Sequence, residues 1–184
     1  MGKVLLGNWL LVICSICYLT WWLITFKPPA PKGSMVGTLI LIGAFASGLS
    51  GLFFTATGMA SSSEEAIQKG IPGIWIIASG IFLYAILLLL TRTIFHRQVT
   101  SELFIIVGWS VLEAALCNYM YTLGRFSAKE AIICAAVILL VSIISLICYI
   151  LYYDLPYVKG YIDGCIPLVL CMIVMIILNL RIMR

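Results

Sequence analysis

Charge is what this sequence has least of. Aspartate, glutamate, lysine and arginine together supply 10% of its 184 residues, where a soluble globular domain carries about 25%. A chain this poor in ions cannot clothe a water-facing surface, which excludes a soluble globular protein. Its net charge of +4 comes from basic residues set singly along loop edges, so no basic stripe forms and nucleic acid is excluded as a partner. Histidine occurs once, at His96 beside Arg97. One histidine in a loop builds no haem or His-rich metal site and supplies no base for intramembrane serine proteolysis. Also missing are a Gly-x-Ser-x-Gly elbow, a phosphate-cradling glycine loop and a catalytic pair of acids. No enzyme, metal or cofactor is expected. Long polar stretches are absent too, so residues 1–184 read as one domain with no soluble module.

What fills the sequence is hydrocarbon: 64% of residues are hydrophobic and the mean hydropathy is +1.18. A bilayer core of roughly 30 Å takes about 20 apolar residues as a helix. Six segments suffice: 4–26, 35–60, 71–91, 103–124, 131–153 and 165–180. They lack the period-two alternation of a membrane barrel, and backbone groups inside lipid must pair within their own segment. The expected fold class is an all-α integral membrane protein, a compact bundle of six transmembrane helices. The first segment follows Lys3 like a signal peptide, yet it is too long for one and "KPPAPKGS" lacks a small-x-small cleavage pattern.

The separators carry turn chemistry. Pro72 suits the first turn of a helix, and the serines before "EEA" at 64–66 are N-cap candidates for a short interfacial helix. An even number of spans puts both termini on one side. Lys3, Lys69, Arg125, Lys129, Arg181 and Arg184 share that side, against Lys27, Lys32, Arg92, Arg97 and Lys159. Six against five is almost no bias under the positive-inside rule. Cytoplasmic termini in the cell membrane are expected, with insertion in both orientations as the alternative.

Two registers of internal repeat compete with no repeat at all. A shift of 100 matches Trp9 with Trp109 and Cys17 with Cys117, and a shift of 92 matches Arg92 with Arg184; these give 3+3 inverted halves, as in many transporters. A shift of 66 matches Trp9 with Trp75 and Tyr18 with Tyr84, giving three hairpins. The segments "ASGIF" (78–82), "LSGLF" (49–53) and "VGWSVLEAA" (107–115) are faintly similar to repeats of the small six-helix acid-resistance membrane proteins. The first span opens on Asn8-Trp9 without the glycines and the fifth matches nothing. That resemblance implies a fold and no mechanism.

Against this apolar background one residue stands out. Glu113 sits in the middle of the fourth span, where an acid costs roughly 2.5–3.5 kcal/mol on insertion scales. It must therefore face protein or a wet cavity. At about 100° per residue, Trp109, Glu113, Cys117, Met120 and Gly124 form one stripe, with Ala114, Asn118, Tyr121 and Arg125 beside it. Three roles fit: a protonatable group of a transporter, a polar anchor in a solute pathway, or a donor tying two helices. Ser15, Tyr18 and Trp22 in the first span, and Ser145 and Tyr149 in the fifth, recur at helical spacing. With Asn118 and Tyr121 they are candidates to line a narrow pathway, or they are packing positions.

The second span carries Gly43, Ser47, Gly51 and Thr55, every fourth residue, a small-residue ladder for close helix packing. All seven cysteines fall in apolar segments or at their ends, where a free thiol behaves as a small hydrophobe. Cys14-Ser-Ile-Cys17 would serve a membrane thiol oxidoreductase, but no loop offers a relay pair. The expected function is a small channel or transporter for a small polar solute or ion, working as a homo-oligomer or with a partner membrane subunit. The alternative is a substrate-binding, sensor or assembly subunit that transports nothing alone.

Overall fold

A computed structural model describes residues 2–61, 67–96 and 101–184, with 101 and 102 described by their backbone. These residues form α1 (Gly2–Thr25), α2 (Met35–Ser61), α3 (Gly73–Thr93), α4 (Ser101–Thr122), α5 (Ala128–Tyr152) and α6 (Tyr157–Met183), with no strand among them. Each helix is long and apolar enough to cross a bilayer. The chain is an all-α, multi-pass integral membrane protein.

Five spans match their helices to within a few residues; the sixth does not. Helix α6 begins at Tyr157, well before residue 165. Pro156 is its N-cap, and the Pro156 carbonyl accepts a hydrogen bond from the Gly160 N–H at 2.9 Å. The residues "YVKGYID" are therefore helical despite their polar look, with exposed Lys159 able to carry its ammonium outward on an apolar stem. Helix α5 also starts early, at Ala128. Ser127 and Glu130 form a reciprocal capping box: the Ser127 N–H donates to Glu130 Oε2 at 2.8 Å and the Glu130 N–H to Ser127 Oγ at 3.3 Å. Gly124, at φ +68°, ends α4 and lets Arg125 N–H reach the Met120 carbonyl at 3.0 Å. The interfacial helix expected near Glu64, and Arg97, lie outside the described residues.

The chain divides into two compact units, Met1–Glu65 with Leu151–Arg184, and Ala66–Ile150. The first therefore holds α1, α2 and α6, and the second α3, α4 and most of α5. This division does not follow the sequence halves of the 3+3 register.

In the first unit α1 and α2 run antiparallel with their backbones in contact. A Cβ on Gly51 would stand 2.8 Å from the Gly7 carbonyl, and one on Gly7 would stand 2.7 Å from the Gly51 carbonyl. Only two glycines permit that approach, which brings each carbonyl against the other helix's Cα–H. Val4 lies on Gly58 and Cys14 on Gly48. The face of α2 that meets α1 is thus Gly48, Gly51, Thr55 and Gly58, alternating steps of three and four. This corrects the every-fourth ladder. Gly51 and Thr55 are at the seam, Ser47 is half-buried, and Gly43 is exposed with nothing within 4 Å of where its Cβ would be. Each step of four overshoots a full turn by about 40°, so a strict ladder winds off the face.

Helix α6 lies antiparallel to α1. Asn8 Nδ2 donates to Asn179 Oδ1 at 3.0 Å, Trp22 Nε1 donates to the Tyr161 carbonyl at 3.2 Å, and the Tyr157 hydroxyl donates to the Phe26 carbonyl at 2.9 Å. The Trp22 ring covers Gly164, leaving no room for a side chain there.

In the second unit Gly80 of α3 seats Val111 of α4. Helices α4 and α5 are antiparallel neighbours, joined by Ser110 and Ser142 hydroxyls 2.6 Å apart and by the Cys117 and Cys134 thiols in hydrogen-bond contact. Residues 67–71 strap the end of α4. The Ile67 and Gln68 N–H groups donate to the Thr122 carbonyl at 2.8 and 3.0 Å. Asn118 grips Ile71 at two points, accepting from its N–H at 2.9 Å and donating to its carbonyl at 2.8 Å.

Candidate functional site

Helix α4 is the interior helix of its unit: 39% of its span is buried, against 6% of α3. Glu113 lies midway along it with 0% exposure. In sequence it falls between the two α4–α5 contacts, Ser110 with Ser142 and Cys117 with Cys134. On its stripe Met120 and Cys117 are buried as well. No lysine, arginine or histidine is buried among the described residues, so the acid has no buried cation beside it.

Neither carboxyl oxygen of Glu113 has a hydrogen-bond partner among the described residues, and neither does Trp109 Nε1 one turn away on the same stripe. Ser145 of α5 is 1% exposed and its hydroxyl is also without a partner. That is unusual for this chain. The Ser110 and Ser142 hydroxyls are both engaged, by each other at 2.6 Å and within 2.7 Å of the carbonyl four residues earlier, and a backbone carbonyl is how a helix interior normally absorbs a hydroxyl. A carboxyl, an indole N–H and a hydroxyl, all buried and unsatisfied, offer both donors and acceptors to something that is not a side chain.

The remaining candidates are distributed as follows. Ser145 and Tyr149 are buried on α5, and Tyr121 is half-buried on α4. Asn118 has both ends of its amide engaged by Ile71; it holds the strap. In the first unit Ser15 and Tyr18 are half-buried. Tyr18 packs on Trp21 with ring centroids 5.1 Å apart, and Trp22 stacks on Phe26 at 4.4 Å. Trp22 is thus committed to packing by its ring and its N–H together.

A cavity of about 370 Å³ lies in the second unit, walled by Gly80, Val111, Ala114, Ala135 and Ile138 among others. Its serines are all engaged, Ser79 with the Ile76 carbonyl, and Ser110 and Ser142 with each other and with a carbonyl of their own helices, so it presents apolar walls, and Glu113 is not one of them. Cys14 and Cys17 are half-buried within α1, and none of the seven cysteines is joined in a disulfide. His96 is exposed. Among the described residues no three His, Cys, Asp or Glu side chains are grouped to hold a metal ion.

Three buried polar residues escape the sequence reading; one, Thr91, donates to the Leu87 carbonyl of its own helix at 2.8 Å, and the other two are on α6. Asn179 is 0% exposed and Asp163 9%. Both fall beyond or near the edges of the span taken as 165–180, where a polar residue looks interfacial. Starting α6 at Pro156, a proline well placed to begin a helix, would have moved Asp163 inside, and Asn179 comes clear of the edge because the helix runs on to Met183.

No family model, no curated protein and no solved structure matches the chain. The short motifs shared with acid-resistance proteins therefore gain no support from these comparisons.

Proposed function

We propose that the protein is a small membrane channel or transporter in which Glu113 is the central polar group of the pathway. One observation carries the reading: a carboxyl at mid-span, fully buried, with both oxygens unpartnered among the described residues. Leaving a buried polar group unsatisfied costs about 1–3 kcal/mol, on top of the cost of placing an acid at that depth. A helix tie would recover that cost through a bond to a neighbouring helix. Glu113 makes none among the described residues, which favours a group kept free for a passing proton, water or small polar solute. Trp109 and Ser145 supply further unpaired groups in the same unit. The host is the cell membrane with both termini cytoplasmic, and the working form is a homo-oligomer or a complex with a partner membrane subunit.

The test is flux through purified protein in liposomes, using protons reported by an enclosed dye, and glycerol and urea followed by vesicle swelling. At least one probe should cross well above protein-free vesicles, and Glu113→Gln should lower that flux tenfold or more. Flux equal to empty vesicles for every probe, from folded protein, would abandon transport and favour a subunit that binds without moving its ligand.

A further inference from the structure

The first unit contains a polar layer that the Glu113 reading does not use. Asn8 of α1, Thr55 of α2 and Asn179 of α6 are each 0% exposed, one from every helix of the unit. They share a level. Asn8 and Asn179 are joined directly at 3.0 Å, and Thr55 Oγ1 lies against Gly7, the residue before Asn8. Apolar residues close the layer on both sides, with Val4 and Val12 flanking Asn8 along α1, and Met175 and Ile182 flanking Asn179 along α6, all buried.

One bond between two amides leaves work undone. Asn8 Oδ1, Asn179 Nδ2 and Thr55 Oγ1 all lack a partner among the described residues. Turning both amides over exchanges their roles but still leaves one acceptor and one donor. Thr55 is the more telling residue, because a threonine inside a helix usually donates to its own backbone. Thr20, Thr57, Thr91 and Thr93 all do so, at 2.7–2.8 Å to the carbonyl four residues earlier. The Thr55 hydroxyl does not, and points instead across the α1–α2 seam toward Gly7.

The leftover set, one acceptor, one amide donor and one hydroxyl, has a definite chemical preference. A cation would meet the amide N–H, and an anion would meet the carbonyl oxygen, with no opposite charge buried at the layer among the described residues to compensate either. A small neutral molecule that both donates and accepts satisfies all three at once. We propose that Asn8, Thr55 and Asn179 form an internal binding site for water, held by hydrogen bonds from three helices. Buried water of this kind typically makes about three hydrogen bonds to otherwise unsatisfied groups. Access is short: Asn8 stands six residues inside the start of α1, roughly 9 Å of helix. The site lies in a different unit from Glu113 and stands or falls separately from the transport reading.

The asparagines of this chain are Asn8, Asn118 and Asn179 alone, so labelling them with nitrogen-15 gives three side-chain signals. The experiment is water-to-amide magnetisation transfer by solid-state NMR on the full chain in deuterated lipid bilayers. Asn118, half-buried on α4 where it grips the strap, serves as the reference for contact with bulk water. Asn179 and Asn8 should receive magnetisation from water at short mixing times. Thr55→Val, close in shape, should weaken the Asn179 signal several-fold and leave Asn118 unchanged, and Thr55→Ser should restore it. Transfer to Asn118 but to neither Asn8 nor Asn179 in the wild type would show a dry helix lock and overturn the proposal. An Asn179 signal indifferent to Thr55→Val would remove Thr55 from the site and overturn it equally.

Discussion

Glu113 was legible as a residue that must be sheltered, because depth in a span and the cost of an acid there are both read from letters. Its lack of partners was not legible, since that depends on which side chains the neighbouring helices bring. The same limit explains Asn118. Its spacing from Glu113 suggested a pathway, but its partner is the backbone of Ile71, and backbone partners leave no mark in a sequence pattern. A pair of substitutions separates function from packing at Glu113. If the carboxyl is kept unpaired for transport, Glu113→Leu should remove an unsatisfied group and melt at the same temperature or higher in detergent, gaining up to about 1–3 kcal/mol, while losing flux. Glu113→Gln should keep the stability and lose most of the flux. A lower melting temperature for the leucine variant, with glutamine tolerated, would make the acid an interhelical tie and take the centre out of the proposed pathway.

Between elements, the helices themselves were readable from hydropathy, whereas the faces they present were only half readable. On α2 the ladder of small residues includes Gly51 and Thr55, which lie against α1, and carries on to Gly43, which is exposed in open space. A strict four-residue repeat cannot follow a helix of 3.6 residues per turn, and Gly48 and Gly58 hold the positions that alternating steps predict. The contrast gives a direct test. Gly51→Leu would drive carbons into the Gly7 backbone and should cost at least the roughly 1–3 kcal/mol of an overpacked core, read as a lower melting temperature. Gly43→Leu should change stability by less than about 0.5 kcal/mol; equal damage from both would mean that Gly43 faces a close partner, as a second copy would provide. The strap predicts its own behaviour. Asn118→Leu removes two hydrogen bonds of about 0.5–1.5 kcal/mol each, so amide exchange at Ile71 should accelerate roughly tenfold or more. Exchange unchanged there would mean that the bonds to Thr122 alone hold the segment.

For the molecule as a whole, sequence reading reached the number of spans and stopped at their arrangement. Apolar segments drawn from few residue types match one another by chance, so neither repeat register could be separated from none, and the compact units fall along α1–α2–α6 and α3–α5 instead of along sequence halves. Orientation is a different matter, because it rests on charges that can be counted. Six basic residues on the side of the termini face five on the other, and such a margin leaves the direction of insertion to one or two side chains. The proposed cytoplasmic placement of the termini has a consequence. Exchanging Lys3 and Lys129 for glutamine reverses the count to four against five, so a measurable fraction of the protein should insert upside down. The native cysteines all lie within helices, which permits single reporter cysteines at Gly2 and Gly33 against a low background. In intact cells an impermeant maleimide should label Gly33→Cys and spare Gly2→Cys, and the charge-depleted variant should expose Gly2→Cys in proportion to the inverted fraction. Equal labelling of both sites before any charge is changed would instead show the chain inserting both ways. The assembly would then be an antiparallel pair, in which each copy presents its pathway in the opposite sense.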